Sequence, residues 1–502
     1  MTPAPRRLIS VGRTYTIRTF GCQMNEHDSE RLAGLLEGEG YARAVDPEQA
    51  DLYVLNTCCI RENADNKLYG ALGHLKRVKE RRPDVRILVA GCLAQKDRQL
   101  IRERAPHVDV VVGTHNLHRA PYLLRHAEAV GPIVEVWDHV EEDDVVFPSA
   151  LPARRQLAHA AWITIQIGCD NSCAFCIVPS VRGPEVSRPF GEIVDEARRL
   201  ADQGVVEVTL LGQNVNSYGR DITTKLRKCA PDPSDVWLAG ERWAKDSRRR
   251  ARPLFADLLR AVGEIPGIRR VRFTSPHPKD LGEETMEAMA EVPSICPHLH
   301  LPLQSGSDRI LAAMHRGYTA SRYLEKLEAA RERIPDLAVT TDIIVGFPGE
   351  TEEDFAQTLD VVSRARYDGA YTFVFSPRPG TEAASMVDRF VPEDVAADRF
   401  ERLCIVTERS AAERHRERVG RIEEVLVEGP SPKQSGVWLG RTPQNKLVHL
   451  SGSDPLQPGT FVEAEIQAAG RHHLKGSVAR VLRRPARAVR IPLEVVPAAS
   501  SV

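Results

Sequence analysis

Across residues 15–116, short apolar runs alternate with stretches in which hydrophobic residues recur every three or four positions, the pattern of a parallel sheet with covering helices. The runs TYTIRTF (14–20), DLYVLNT (51–57), VRILVAG (85–91) and VDVVVG (108–113) predict four strands. Between the first two, Leu32, Leu35 and Leu36 mark one helix, and residues 62–82 form a longer one with a polar face. A second α/β run follows the acidic, proline-containing stretch EEDDVVFPSALPARR (141–155), which reads as a linker. WITIQIG, VEVTLLG, IRRVRFTS, HLHLPLQS, LAVTTDIIVG and AYTFVFS then predict six strands, each separated from the next by a helix or loop. Six βα units fall short of the eight of a closed barrel and imply a partial one, with its active site at the carboxyl ends of the strands.

After residue 390 the pattern changes again. A charged helical run (391–420) turns Phe400, Leu403, Ile405 and Val406 toward a packing partner. RIEEVLVEGP, SGVWLGRTPQNKLVHL, GTFVEAEIQAA and GSVARVLR then read as short strands between glycine and proline turns, a small β-barrel with its own core. The predicted fold is therefore α/β: an open parallel-sheet domain at 12–145, a partial (β/α)6 barrel at 155–390, a small all-β barrel at 415–486 and a tail at 487–502. DITTKLRKCAPDPSDVWLAGERWAKDSRRRARP (221–253) interrupts the central domain as a long basic segment, expected to be a partly disordered surface insertion.

Composition adds exclusions. With 42% hydrophobic residues and no run near the ~20 apolar positions of a membrane span, a cytoplasmic protein is expected. The net charge of −1 supplies no global field toward nucleic acid, so any such contact must come from a local patch. One candidate patch runs from Arg471 to Arg490 without an acidic residue and includes Arg480, Arg483, Arg484 and Arg487. A second is the run Arg248, Arg249, Arg250 and Arg252 in the insertion.

Ten cysteines in 502 residues are too dilute for a disulfide scaffold, so their placement points instead to metal binding or reactivity. Cys22, Cys58 and Cys92 each lie just past one of the first three strands, where ligands of open α/β sheets sit. Three thiolates there can hold an iron–sulfur cluster or a zinc ion. Cys59 leaves the second ligand ambiguous by spacing, although strand alternation would send the two neighbours to opposite sides. The first central strand ends in GCDNSCAFCIVPSVRGPEVSRP (168–189), where Cys169, Cys173 and Cys176 form a CxxxCxxC triplet. Three thiolates on one loop suit three irons of a 4Fe-4S cluster and leave the fourth open for chemistry.

The triplet, with Phe175 just before its last cysteine, resembles the radical S-adenosylmethionine superfamily, in which the open iron binds the cofactor and one electron breaks its sulfonium bond. NTCCIRENADNK, LLGQNVNSYG, FTSPHP, LPLQSGSDRILAAMHRGY and TDIIVGFPGET extend the resemblance to the methylthiotransferases, which replace a C–H bond with a methylthio group. QNVNSYG (213–219) is similar to the MiaB-type members that act on tRNA, and the β-rich stretch at 415–486 resembles a TRAM domain, an RNA-binding module. The resemblance implies an auxiliary cluster on Cys22, Cys58 and Cys92, and a second on Cys169, Cys173 and Cys176 that binds S-adenosylmethionine. Phe175 would shield the cofactor or merely cap the loop. Gln213, Gln304 and Asp342 stand at strand ends near it, as do Asn214 and His277, and Gly346 and Gly349 either admit the cofactor or form turns.

The implied reaction is methylthiolation at carbon 2 of N6-isopentenyladenosine beside the tRNA anticodon. Its implied partners are tRNA, an electron donor such as a flavodoxin or ferredoxin, and a sulfur source; no membrane is involved, and the chain is expected to act as a monomer. Threonylcarbamoyladenosine or a ribosomal-protein aspartate are alternative substrates, and an iron–sulfur RNA-binding regulator is the alternative without turnover.

Overall fold

The computed structural model describes residues 12–59, 62–138, 153–452 and 455–485. Six parallel strands form the first sheet: β1 (Thr14–Phe20), β2 (Ala42–Arg43), β3 (Leu52–Thr57), β4 (Arg86–Ala90), β5 (Val110–Val112) and β6 (Ile133–Glu135), in the order β2-β1-β3-β4-β5-β6. Along β3, Tyr53 and Leu55 pack with Leu68, Leu72 and Leu75 on one face, while Leu52 and Val54 pack with Leu32, Leu36 and Leu124 on the other. Both faces are thus buried, and β3 reads as a continuous apolar run for that reason. The two edge strands, of two and three residues, are too short to leave a periodic signal.

The central domain carries β7 (Ala160–Thr164), the small antiparallel pair β8 (Gln166–Ile167) and β9 (Val186–Ser187), then β10 (Glu207–Leu211), β11 (Arg270–Phe273), β12 (His298–His300), β13 (Ala338–Val345) and β14 (Gly369–Val374). β7, β10 and β11 form one parallel sheet and β12, β13 and β14 another, and a bridge between Val271 and Ile295 links their edges. The six strands follow chain order, as the pattern predicts. Of the apolar face expected on the helix Glu393–Arg416, Phe400, Leu403 and Val406 join the central core, but Ile405 is exposed.

The insertion is ordered, contrary to expectation. It folds into the short helices Arg220–Leu226, Asp235–Ala239 and Glu241–Ala244, anchored by a fully buried Trp243. Trp243 donates its indole N–H to the Arg250 carbonyl at 2.9 Å, and Arg249 lies over its ring. Trp237 packs so tightly on Gly191 that an added Cβ would come within 2.2 Å of the ring. The arginine run is largely spent on this packing: Arg249 pairs with Asp235 at 2.6 Å and Arg252 with Asp257 at 2.7 Å.

The last unit is a closed five-stranded barrel of β15 (Ile422–Pro430), β16 (Val437–Arg441), β17 (Leu447–Ser451), β18 (Phe461–Ala469) and β19 (Leu474–Arg483), ordered β15-β16-β17-β19-β18. The stretch expected as one strand at 435–450 is two, split by the turn around Asn445, whose φ is +62°. The barrel has its own core but is not free of the central domain. Arg270 donates to the Arg441 carbonyl at 2.8 Å, Arg272 to the Thr442 and Pro443 carbonyls, and Lys446 pairs with Asp368 at 2.8 Å, all buried. These contacts cover the amino ends of the central strands and leave the carboxyl ends to the site.

His415 lies in this interface, where burial, helped by Lys446, lowers its pKa to about 4. The unfolded chain binds this proton near pH 6.5 and the folded chain only near 4, so stability is expected to fall as pH drops through that window. The expected slope from this residue is up to about 1.4 kcal/mol per pH unit, reduced by its residual solvent access. In urea melts at stepped pH, His415→Gln should flatten the loss between pH 6.5 and 4. An unchanged slope would remove His415 from the account.

Candidate functional site

The first cysteine group is built by three adjacent strands. Cys22 follows β1 and caps the helix Gln23–Gly38, Cys58 follows β3, and Cys92 opens the helix Cys92–Asp97 after β4. Gly21, at φ +152°, is obligatory because a Cβ there would stand 2.4 Å from that of Cys58. The Cys22 thiol is held low chiefly by a hydrogen bond from Cys58, and Cys92 by one from Cys59, whose own thiol is pushed up in return. Cys59 therefore does not face away. β3 ends at Thr57, so the strand alternation that would have sent it elsewhere no longer applies, and four thiols meet in two pairs.

The second group lies on the loop between β8 and β9. Gly168 starts it at φ +77°, with the Pro184 carbonyl 1.8 Å from where a Cβ would sit. The Cys169 amide donates to Gly183 at 3.2 Å and the Cys176 amide to the Cys173 carbonyl at 3.0 Å. The turn after residue 313 braces the loop from behind: Ala174 donates to the Met314 carbonyl at 3.1 Å, and the buried Arg316 donates to the Cys173 sulfur at 3.3 Å. Burial raises the Cys169 thiol and pushes Cys176 up to about 12, so binding of metal here entails loss of protons. Among the described residues, no three Cys, His, Asp or Glu side chains converge on a point as a single ion requires. The donor sets suit a multi-iron cluster, which spreads its thiolates over separate irons.

The other predicted residues divide. Gln213 and Gln304 each hold a buried side-chain oxygen without a hydrogen-bond partner, and Gln304 sits at φ +66° with its backbone bridged to β13. Asp342 faces His300 at 3.4 Å. Phe175 packs against Ala174, Ile310, Met314 and Phe347, which makes it part of the loop's apolar footing. The close approach at Gly346 is that of Ala396, 3.0 Å from a Cβ placed there, and its N–H is taken by Glu350 at 2.8 Å. The Gly349 amide is bound by the Arg389 carbonyl. Burial, with Arg316 and Lys279 nearby, lowers His277 to about 2, and its Nδ1 accepts from the Lys279 amide. It stays neutral and braces a turn. Asn214 is bonded to Asp280 at 2.9 Å. Cys229 is exposed and remote in sequence from both groups.

Sequence reasoning missed Arg182 and Arg316, which lie inside the quoted motifs and approach one cysteine group each. It also missed the junction. Ile177 and Val181, directly after the triplet, are members of the first domain's core together with Cys59 and Cys92. Thr114 of the first domain donates to the Val181 carbonyl at 2.7 Å, and Arg31 reaches Glu196 of the central domain at 2.9 Å. The segment that follows the triplet is thus packed into the core that holds two of the first domain's cysteines.

A partial parallel barrel with CxxxCxxC on the loop after its first strand defines a radical S-adenosylmethionine enzyme. Family models agree along the chain: uncharacterized protein family UPF0004 at residues 14–113, the radical SAM superfamily at 163–362 and the TRAM domain at 416–479. The chain is 52% identical to the tRNA-2-methylthio-N(6)-dimethylallyladenosine synthase of Acidothermus cellulolyticus, over 94% of this chain and 88% of that one. It is 50% identical to the synthase of the same name from Mycolicibacterium smegmatis, over 95% and 89%. Among solved structures, the radical S-adenosylmethionine methyltransferase TsrM from Kitasatospora setae superposes with a TM-score of 0.48 at 14% identity, covering 74% of this chain and 75% of that one, a likeness too loose to add to these. The chain belongs to the tRNA-2-methylthio-N(6)-dimethylallyladenosine synthase family of radical SAM methylthiotransferases.

Proposed function

We propose that this chain replaces the hydrogen on carbon 2 of N6-isopentenyladenosine, beside the tRNA anticodon, with a methylthio group. The observation that carries the reading is the packing of Ile177 and Val181, next to the triplet, into the core that holds Cys59 and Cys92, because radical generation and sulfur delivery must reach one carbon atom. When bound, the two 4Fe-4S clusters and S-adenosylmethionine supply one-electron cleavage of the sulfonium, sulfur and the methyl group. Cys169, Cys173 and Cys176 would hold the cluster that binds the cofactor; Cys22, Cys58 and Cys92 would hold the auxiliary one.

The chain's own residues do the positioning. Arg316 fixes the triplet loop through Cys173. The unpartnered oxygens of Gln213 and Gln304 and the carboxylate of Asp342 are offered to the cofactor's polar groups, since buried acceptors without donors call for a ligand. The functional units follow as 12–145, 155–390 and 415–486, with a tail at 487–502. Arg480, Arg483 and Arg484 are exposed on the last barrel and would meet tRNA phosphates, with Arg480 exchanging its pairing to Glu463; Arg487 lies outside the described residues. A flavodoxin or ferredoxin as electron donor, a separate sulfur source, a cytoplasmic location and a monomeric state complete the proposal. No helix among the described residues is long and apolar enough to cross a membrane.

The test is substrate choice. Anaerobically reconstituted protein with S-adenosylmethionine, reductant and inorganic sulfide should add one methylthio group to an anticodon stem-loop bearing isopentenyladenosine. It should leave untouched a loop bearing threonylcarbamoyladenosine and a ribosomal-protein peptide bearing the aspartate. Modification of either of the last two in preference to the first would overturn the assignment.

A further inference from the structure

Arg182 ends the helix Val178–Arg182, which begins two residues after Cys176, yet its guanidinium is buried in the other cysteine crevice. It pairs at 2.8 Å with Asp28, and the two side chains are 5% and 4% exposed. Asp28 lies on the helix that Cys22 caps. The helix that carries Arg182 packs against the helix that Cys92 opens, and its neighbour Val181 shares a core with Cys59 and Cys92. An arginine keeps its charge even when buried, and its partner here is the Asp28 carboxylate. Lys96, which acts on Cys59, is already engaged by Asp65 at 3.0 Å and Asp97 at 3.3 Å.

A buried ion pair of this kind is a poor device for stability, because desolvating both charges offsets most of their attraction. Its placement is better explained by what it faces. Cluster potentials depend on net charge and on nearby dipoles and hydrogen bonds, and outer residues that orient or polarise ligands shape a metal site as much as the ligands do.

We propose that Arg182 is a positioning residue that sets the reduction potential of the first-domain cluster, its positive charge favouring the one-electron-reduced form and Asp28 tempering it. The proposal rests on the reading that Cys22, Cys58 and Cys92 hold that cluster. Because Arg182 is carried by the segment that follows the triplet, the electronic state of one cofactor site is tied to the seating of the other. A displacement of the triplet loop would move this charge.

The experiment uses the full chain with Cys169, Cys173 and Cys176 all replaced by alanine, so that any remaining cluster is the first-domain one. Each protein is reconstituted and titrated anaerobically with a chemical reductant that supplies one electron per cluster, followed by electron paramagnetic resonance. Arg182→Met should disfavour reduction at least tenfold, about 59 mV more negative for a one-electron couple. Asp28→Asn should shift the potential the opposite way, and Arg182→Lys should stay near the parent. A purely structural pair would not give shifts of opposite sign. Equal potentials in all four proteins, or shifts of one sign in Arg182→Met and Asp28→Asn, would overturn the proposal. Should Arg182→Met hold no iron, Asp28→Asn decides: a positive shift supports the proposal, and a negative or absent one overturns it. A parent without iron would overturn both the proposal and the reading beneath it, whereas about four irons per chain with an indifferent potential would overturn the proposal alone.

Discussion

Cys173→Ala is expected to reduce release of 5′-deoxyadenosine to the level of a protein-free control. The triplet loop offers three thiols and no fourth, and Cys173 is the one braced by Arg316 at 3.3 Å, so no neighbouring side chain can take its place. Loss of one of three thiolates removes an iron's only protein ligand and with it the seat of the cofactor. The substitution also leaves Arg316 with one acceptor fewer, at a cost of about 1–3 kcal/mol. Thermal melts separate this cost from the catalytic loss, because Arg316 keeps its contact to Tyr318 at 3.2 Å and the fold should survive. Undiminished 5′-deoxyadenosine from a folded Cys173→Ala protein would rule out radical chemistry at this loop.

The second large effect dissociates the two sites. Replacing Cys22, Cys58 and Cys92 together by alanine should leave S-adenosylmethionine cleavage in place but stop methylthiolation. Iron should fall from about eight to about four atoms per chain, as expected when one of two cubanes is lost. Cys59→Ala is not a silent comparison here, since its thiol bonds to Cys92 in the same buried cluster. It should loosen the auxiliary site without emptying it. Full iron in the triple variant would make these cysteines ordinary core residues.

Much of this was readable from periodicity. The four strands predicted for the first sheet and all six of the partial barrel carry apolar runs, and each cysteine group begins just past such a run. What escaped did so for physical reasons. β2 and β6, of two and three residues, are too short to repeat any pattern. Trp243 could not be seen as an anchor because the residues around it are polar, and only its insertion between Arg249 and the barrel helices makes the segment fold. Cys59 was misplaced by a strand rule applied two residues past the strand end. Arg182 and Arg316 carry no spacing signature at all, because what gives each its role is a partner roughly 90–150 residues away in sequence.

The same limit applies to the join between the central domain and the last barrel. Arg270, Arg272 and Lys446 look like surface charges in the sequence, yet all three are buried against carbonyls or a carboxylate. That seam joins the last barrel to the amino ends of the central strands.

Methylthiolation of isopentenyladenosine in tRNA by this chain can be read by mass spectrometry of tRNA nucleosides from a strain lacking the protein. 2-Methylthio-N6-isopentenyladenosine should disappear while its unmethylthiolated precursor accumulates, and the native chain, but not Cys173→Ala, should restore it. Unchanged 2-methylthio-N6-isopentenyladenosine in the deletion strain, with loss of methylthiolation from threonylcarbamoyladenosine or from a ribosomal protein instead, would contradict it.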